Sequence, residues 1–262
     1  MAFLGPVNSF THEAAEKLFR GAELVAMDSI SSVFRAVESL EADYGVVPVE
    51  NSLEGPVGET LDNLAHTMLH IAYAAEMRIT LVIAGDPGKG VVYGHPHALG
   101  EARHVLQRLA PGAKLVETAS TSAAAERAAR EGGLCVCSRR AAEANNLPIV
   151  ETVEPGVGNM NYTRFIALGW RDNPAEASRT SIVAAMPDTP GALYYWLEPF
   201  ARRGVNLKMI YSRPTPSKPW NYIFYVDLEG SRLEERVREA LEEAARRSLF
   251  LRVLGSYPVL RL

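Results

Sequence analysis

The segment Asn159-Met160-Asn161-Tyr162-Thr163-Arg164-Phe165 gathers two amides, a hydroxyl and a fixed cation in one short stretch. It leaves an irregular loop, Glu154-Pro155-Gly156-Val157-Gly158, and enters the apolar run Phe165-Ile166-Ala167-Leu168. A strand that starts at such a loop leaves its first side chains at a sheet rim, where ligands commonly bind. None of these side chains is a strong nucleophile or metal ligand. Together they can hold an anionic substrate and give it one proton or hydrogen bond. Taken alone, they also describe an ordinary strand start with a polar turn.

Three other stretches have related chemistry. Gly5-Pro6 is followed by Ser9 and Thr11, each a plausible helix N-cap. The strand Tyr44 to Val49 runs into Glu50-Asn51-Ser52-Leu53-Glu54-Gly55. Ser120-Thr121-Ser122 precedes an Ala-rich helix, Ala123 to Arg130. Helix N-termini and their caps present backbone N–H groups that suit anions. His95 and His97 alternate on extended backbone, so one ligand-facing side can present both. His66 and His70 have metal-ligand spacing for a helix, but no Glu follows His66 and no metal is expected there.

The elements that must position these groups follow from periodicity. Ile30, Val33, Phe34, Val37 and Leu40 recur at 3.6 residues behind the cap Asp28-Ser29. Val57 to His70 reads as a further helix, and Ile79 to Ile83 as a strand. The breakers Gly85 to Gly90 separate a second strand–helix series running to Pro148. Two α/β lobes follow, of the two-lobed, periplasmic-binding-protein-like kind. The first covers about 1–84 plus a return strand at about 160–170, and the second about 90–155. Gly169 to Ser178 reads as a linker. Beyond it, residues 179–262 carry a β-α-β-β-α-β order, which is ferredoxin-like.

The bulk composition excludes several classes. In 262 residues, 47% are hydrophobic, enough for a substantial core. A net charge of −4 leaves no basic excess for nucleic acid. Apolar runs stay short of the ~20 residues that span a membrane. With no secretory leader pattern at the N-terminus, the expected compartment is cytoplasmic. The 2 cysteines, Cys135 and Cys137, lack the spacing of zinc or redox motifs and read as core residues.

Together these pieces resemble prephenate dehydratase followed by an ACT regulatory domain, over residues 1–172 and 179–262. Gly5-Pro6-Val7-Asn8-Ser9-Phe10-Thr11 is similar to the family's Gly-Pro-x-Gly-Thr-Phe-Ser opening, and Pro48 to Ser52 to its Pro-Ile-Glu-Asn-Ser motif. Ser120-Thr121 sits where the family has Ser-Thr, and Thr163-Arg164-Phe165 matches Thr-Arg-Phe. The resemblance implies decarboxylating dehydration of prephenate to phenylpyruvate without a cofactor. It implies Thr163, Asn51 and Ser52 as the catalytic group. It implies Ser9, Phe10, Thr11, Glu50, His97, Ser120, Thr121, Arg164 and Phe165 around the substrate. His97 stands where the family has Gln in a His-Pro-Gln loop. Either it hydrogen-bonds in place of that Gln or the contact lies elsewhere.

Gly191-Ala192-Leu193 and Asn206-Leu207, with Ser212-Arg213-Pro214, resemble the ACT effector motifs and imply phenylalanine as effector. Lys208 and Tyr211 depart from those motifs. A homodimer or homotetramer is implied by analogy. Two other readings stay open from sequence: arogenate as substrate, with Glu50 or Glu54 meeting its ammonium, and a non-catalytic two-lobed binding protein. Adjacent strand residues face opposite ways, so Thr163 and Arg164 share the cleft only if the backbone there is irregular.

Overall fold

The structure, a computed structural model, describes residues 1–154, 160–214 and 222–262. Asn159 and the loop before it, 155–158, lie outside the described residues, as does Asn221. The chain opens with β1 (Ala2–Leu4), α1 (Phe10–Leu18), β2 (Val25–Met27), α2 (Ile30–Glu38), β3 (Gly45–Asn51), β4 (Gly55–Pro56), α3 (Gly58–His66) and β5 (His70–Arg78). A second series follows: β6 (Leu81–Gly85), β7 (Val91–Gly94), α4 (Pro96–Glu101), α5 (Arg103–Leu109), β8 (Lys114–Glu117), α6 (Thr121–Glu131), β9 (Leu134–Ser138), α7 (Arg139–Ala144) and β10 (Ile149–Val153). Then come β11 (Tyr162–Gly169), β12 (Arg179–Ala185), α8 (Ala192–Arg202), β13 (Leu207–Pro214), β14 (Tyr222–Glu229), α9 (Glu235–Arg246), β15 (Phe250–Tyr257) and β16 (Val259–Arg261).

Among the described residues these strands form three sheets. The first has the order β16-β5-β11-β3-β1-β2, with β4 on β3; the second is β10-β6-β9-β7-β8; the third is β13-β14-β12-β15. The architecture is therefore α/β with two lobes and a ferredoxin-like unit, and the chain crosses between lobes after β5 and again before β11. The third sheet has α8 and α9 on one face, around Trp196, Phe200 and Val237. Its other face is not open to solvent. Val183, Tyr225, Leu254 and Tyr257 share a core with Val33, Phe34, Leu61 and Ile166 of the first lobe.

Three expectations are corrected. The helix expected from Val57 to His70 ends at His66, and β5 starts at His70, so His66 and His70 occupy different elements. β5 lies between β11 and β16, and its Ala72, Ala74 and Ala75 are buried. A strand covered on both faces loses the polar alternation that marks a strand in sequence. Second, β6 pairs with β9 and β10, so Leu81–Gly85 belongs to the second lobe rather than the first. Third, the stretch read as a linker is pinned at both sides. Trp170 Nε1 donates to Val37 O at 3.1 Å, and Asp172 accepts from Ser256 N at 2.8 Å and pairs with Arg232.

The chain's last strand, β16, also returns to the first sheet and pairs with β5 in parallel. The junction is tight enough to require glycine at its crossing. A Cβ on Gly255 would lie 2.3 Å from Ile71 O. Gly255→Ala is expected to destabilise the protein by about 1–3 kcal/mol, read as a lowered midpoint in chemical denaturation.

Candidate active site

A cleft of about 630 Å³ separates the two lobes. Ser9, Phe10, Thr11, Asn51, Thr163 and Phe165 line it from the first lobe, and His95, His97, Glu101, Ser120 and Thr121 from the second. Its floor is set by how β3 pairs with β11. Thr163 lies opposite Asn51 and Arg164 opposite Glu50; the register then shifts, and Phe165 lies opposite Pro48. Proline has no N–H to give the ladder, so a bulge at this point is the natural break. The extra residue is Val49, whose carbonyl accepts instead from Val57 N at 2.8 Å.

The bulge leaves Asn51 in a fixed orientation. Its Oδ1 accepts from Leu53 N at 2.9 Å and Glu54 N at 3.1 Å. Two backbone donors on one atom identify that atom as oxygen, so the other is the NH2. Nδ2 then donates to Asn161 Oδ1 at 2.7 Å and to Thr163 Oγ1 at 3.0 Å. Thr163 is therefore an acceptor toward Asn51, which leaves its own hydrogen for a group in the cleft. Asn161 in turn donates from Nδ2 to Glu101 Oε2 at 2.8 Å, and its backbone carbonyl accepts from Ile79 N at 2.8 Å. One residue thus ties together both crossings and the second lobe.

Two helix N-termini open onto the same space. Ser9 Oγ caps α1 by accepting from His12 N at 3.2 Å, and Ser120 Oγ caps α6 by accepting from Ala123 N at 3.0 Å. Each cap satisfies the third helical N–H and leaves the first two, on Phe10 and Thr11 and on Thr121 and Ser122, available to an anion. Opposite them, His97 Nδ1 lies 3.1 Å from Glu54 Oε1 and joins the lobes across the cleft mouth. The His95 ring stacks on His97 at 5.3 Å. Burial first, then His97, keep His95 below the ordinary histidine value, with Glu54 and Glu117 pulling the other way.

Several site residues read from sequence do not face this cleft. Arg164 follows the regular alternation and points to the opposite side of the sheet. It is 5% exposed, with Nη1 2.5 Å from Asp227 Oδ2 and Nη2 3.0 Å from Glu50 Oε2. Burial opposes its charge, but Asp227, Tyr257 and Glu50 outweigh it and hold the guanidinium above its ordinary value. Burial and then Asp227 push the Tyr257 phenol up to about 12. Arg164 and Glu50 are thus partners of each other at the junction with the ferredoxin-like unit. Ser52 also lies outside the cleft. Its Oγ donates to Met160 O at 2.8 Å and accepts from Tyr162 N at 2.9 Å, clasping the ends of β3 and β11.

In the ferredoxin-like unit, Gly191 caps α8 with φ +82, a conformation that favours glycine. Leu193 and Leu207 pack with the α8/α9 core, next to Ala192 at the start of α8. Asn206 Nδ2 donates to Glu229 at 3.1 Å. The register of β13 shifts between Leu207 and Met209, so Met209 and Tyr211 face the first lobe instead. Arg213 does the same: Nη2 is 2.5 Å from Asp62 Oδ2 of α3, so it belongs to the junction and not to the effector loop. Ser212 and Pro214 are exposed on the other side of β13.

Sequence reasoning missed Glu101 and Asp227. Glu101 ends a short helix that starts at Pro96. The signal was available, since proline is favoured at the first helical position. Nothing in the sequence marks Asp227; its apolar neighbours describe only a buried strand.

A two-lobed cleft presenting several hydroxyls, two helix N-termini and two engaged carboxylates, with a ferredoxin-like unit packed behind it, defines the class. The prephenate dehydratase family model matches residues 1–173, and the ACT domain model matches 180–246. The chain is 42% identical to a bifunctional chorismate mutase/prephenate dehydratase of Aquifex aeolicus, covering 98% of this chain and 73% of that protein. It is 37% identical to a prephenate dehydratase of Amycolatopsis methanolica, over 98% of this chain and 88% of that one. The crystal structure of prephenate dehydratase from Arthrobacter aurescens, in complex with L-Phe, superposes with a TM-score of 0.87 at 33% identity, covering 98% of this chain and 89% of that one. The chain belongs to the prephenate dehydratase family and carries a C-terminal ACT domain.

Removing the junction cation tests its structural role. Arg164→Met leaves Asp227 buried without its counter-ion and is expected to cost about 3–5 kcal/mol, measured by equilibrium denaturation.

Proposed function

We propose that the cleft converts prephenate to phenylpyruvate, carbon dioxide and water, with Thr163 meeting the departing oxygen. The observation that carries this is the Asn51 Nδ2 to Thr163 Oγ1 hydrogen bond of 3.0 Å at the cleft floor. Breaking the ring C–OH bond is the costly event. The electron pair of the breaking C–CO2 bond moves into the ring and completes aromaticity as hydroxide departs. A donor placed at that oxygen lowers the barrier, and the hydroxide leaves as water once protonated. Because Asn51 already donates to the threonine oxygen, the Thr163 hydrogen points outward, polarised for this task.

The pyruvyl carboxylate persists through the reaction and needs an anchor. The free N–H groups at the starts of α1 and α6 suit it. The carboxylate that is lost leaves best from surroundings that do not stabilise its charge. Phe10, Leu81 and Phe165, all lining the cleft, offer such a wall. Glu54 and Glu101 face the same space, but each is already engaged, by His97 and Asn161 respectively. This engagement supports a dianion over the ammonium-bearing analogue arogenate.

Phenylalanine is the proposed effector, bound at the ACT domain near Gly191, Ala192, Leu193, Asn206 and Leu207 in an assembly of at least two chains. Among the described residues no helix is long and apolar enough to cross a membrane.

Two measurements check these assignments. Thr163→Ala is expected to lower kcat by roughly 10²–10⁴ while the protein stays folded, followed by ultraviolet detection of phenylpyruvate. Near-parental turnover of that variant refutes the role. Phenylalanine is expected to bind with measurable heat and to reduce turnover. A Cβ on Gly191 would crowd the Tyr195 ring at 3.0 Å, so Gly191→Ala is expected to raise the phenylalanine concentration required by about tenfold or more. No heat and no inhibition at millimolar phenylalanine would remove the effector reading.

A further inference from the structure

Resting on the dehydratase reading above, we infer that Asp227 of the ACT domain is a positioning residue for the Thr163 hydroxyl, acting through Arg164. Asp227 is 2% exposed. Its Oδ1 accepts from Ser181 Oγ at 2.5 Å, and Oδ2 lies 2.5 Å from Arg164 Nη1. Ser181 Oγ is also 2.5 Å from Tyr257 OH, so the carboxylate is held from behind by the domain's own strands. Arg164 spans the domain boundary, with its second nitrogen on Glu50 at 3.0 Å.

Arg164 and Glu50 are the chain neighbours of Thr163 and Asn51, and the two pairs lie opposite each other on β11 and β3. The register breaks immediately beyond them, at the bulge. β11 keeps an unbroken register with β5 from Tyr162 to Ala167, and its pairing with β3 resumes beyond the bulge at Phe165 and Pro48. The segment left to be fixed is the short end of β3 carrying Glu50 and Asn51, where a one-residue slip would turn each side chain to the other face. Such a slip would turn Asn51 away from the Thr163 hydroxyl, and a device is needed to prevent it. The Asp227–Arg164–Glu50 chain is that device. Of its two anchors, Asp227 carries the constraint, since the Glu50 side chain is 33% exposed and can turn to water.

Stability alone is a poor account of this arrangement. Arg164 Nε is buried without a hydrogen-bond partner among the described residues. A buried ion pair with an unmet donor gives little net stabilisation over an apolar replacement, so its retention points to geometry.

The test compares the parent, Asp227→Asn and the double variant Arg164→Met/Asp227→Leu in the full chain, with kcat, KM for prephenate and denaturation midpoint measured for each. Asp227→Asn is expected to reduce kcat by about 10- to 100-fold, the range for a displaced reacting group. KM is expected to stay within about twofold, since the anion sites on α1 and α6 are untouched. The double variant removes both charges at similar volume, so its midpoint is expected to recover toward the parent while kcat stays low. A folded Asp227→Asn enzyme with kcat within about twofold of an active parent overturns this inference alone. So does a double variant that recovers midpoint and turnover together. A parent without prephenate turnover overturns the dehydratase reading, and this inference with it.

Discussion

One antiparallel strand pair, β3 with β11, carries both the floor of the cleft and the domain junction. Its side chains alternate, so residues next to each other in sequence serve opposite faces. Asn51 and Thr163 look into the cleft; Glu50 and Arg164 look into the ACT domain. The regular pairing is interrupted between Glu50 and Pro48, where Val49 is the extra residue, and resumes from Pro48 to Gly45. The bond between Asn51 and Thr163 exists only in this register. The cleft lobes, the caps of α1 and α6, and the ACT sheet are all arranged around that constraint.

The junction also reaches α3, which begins a few residues after the Asn51 turn. Tyr225 OH donates to Leu61 O at 2.7 Å, and Arg252 reaches the carbonyls of Leu64 and Thr67 at the helix's C-terminal end. A cation at a helix C-terminus meets both unpaired carbonyls and the negative end of the dipole. Arg213 adds its contact with Asp62. The regulatory sheet therefore grips the loop bearing Asn51 from two directions, along α3 and through Arg164. Any effector that shifts this sheet has a physical connection to the cleft through packed and paired groups, which is what coupling between sites requires.

Much of this was legible in sequence wherever one face of an element is wet. The helix from Ile30 keeps its apolar period, with Val33, Phe34 and Val37 buried. The order of the ACT domain follows from alternating strands and a charged, amphipathic α9. Ser9, Thr11, Asn51, Ser120, Thr121 and Thr163 come from four separate stretches, and the structure brings them to one cleft. What was not legible lies where burial is two-sided or partners are distant in sequence. β5 carries no strand alternation because both its faces are covered, and the preceding helix therefore reads on into its first residue, His70. The alternation rule separates Thr163 from Arg164 but cannot say which of the two faces the ligand. Asp227 has no local mark, because its meaning depends on Arg164, far earlier in the chain.

The return of β16 to the edge of β5 has a consequence for how the chain is made. Lobe one's sheet keeps an unpaired border until residues 259–261 have been synthesised and have docked beside Ala74–Glu76. Until then the emerging polypeptide exposes a strand edge able to pair with another molecule. Completion of the sheet that holds Thr163 is thereby deferred until the ACT domain has been synthesised. A ribosome-bound chain stalled before Val259 would expose a sticky, half-zipped first lobe.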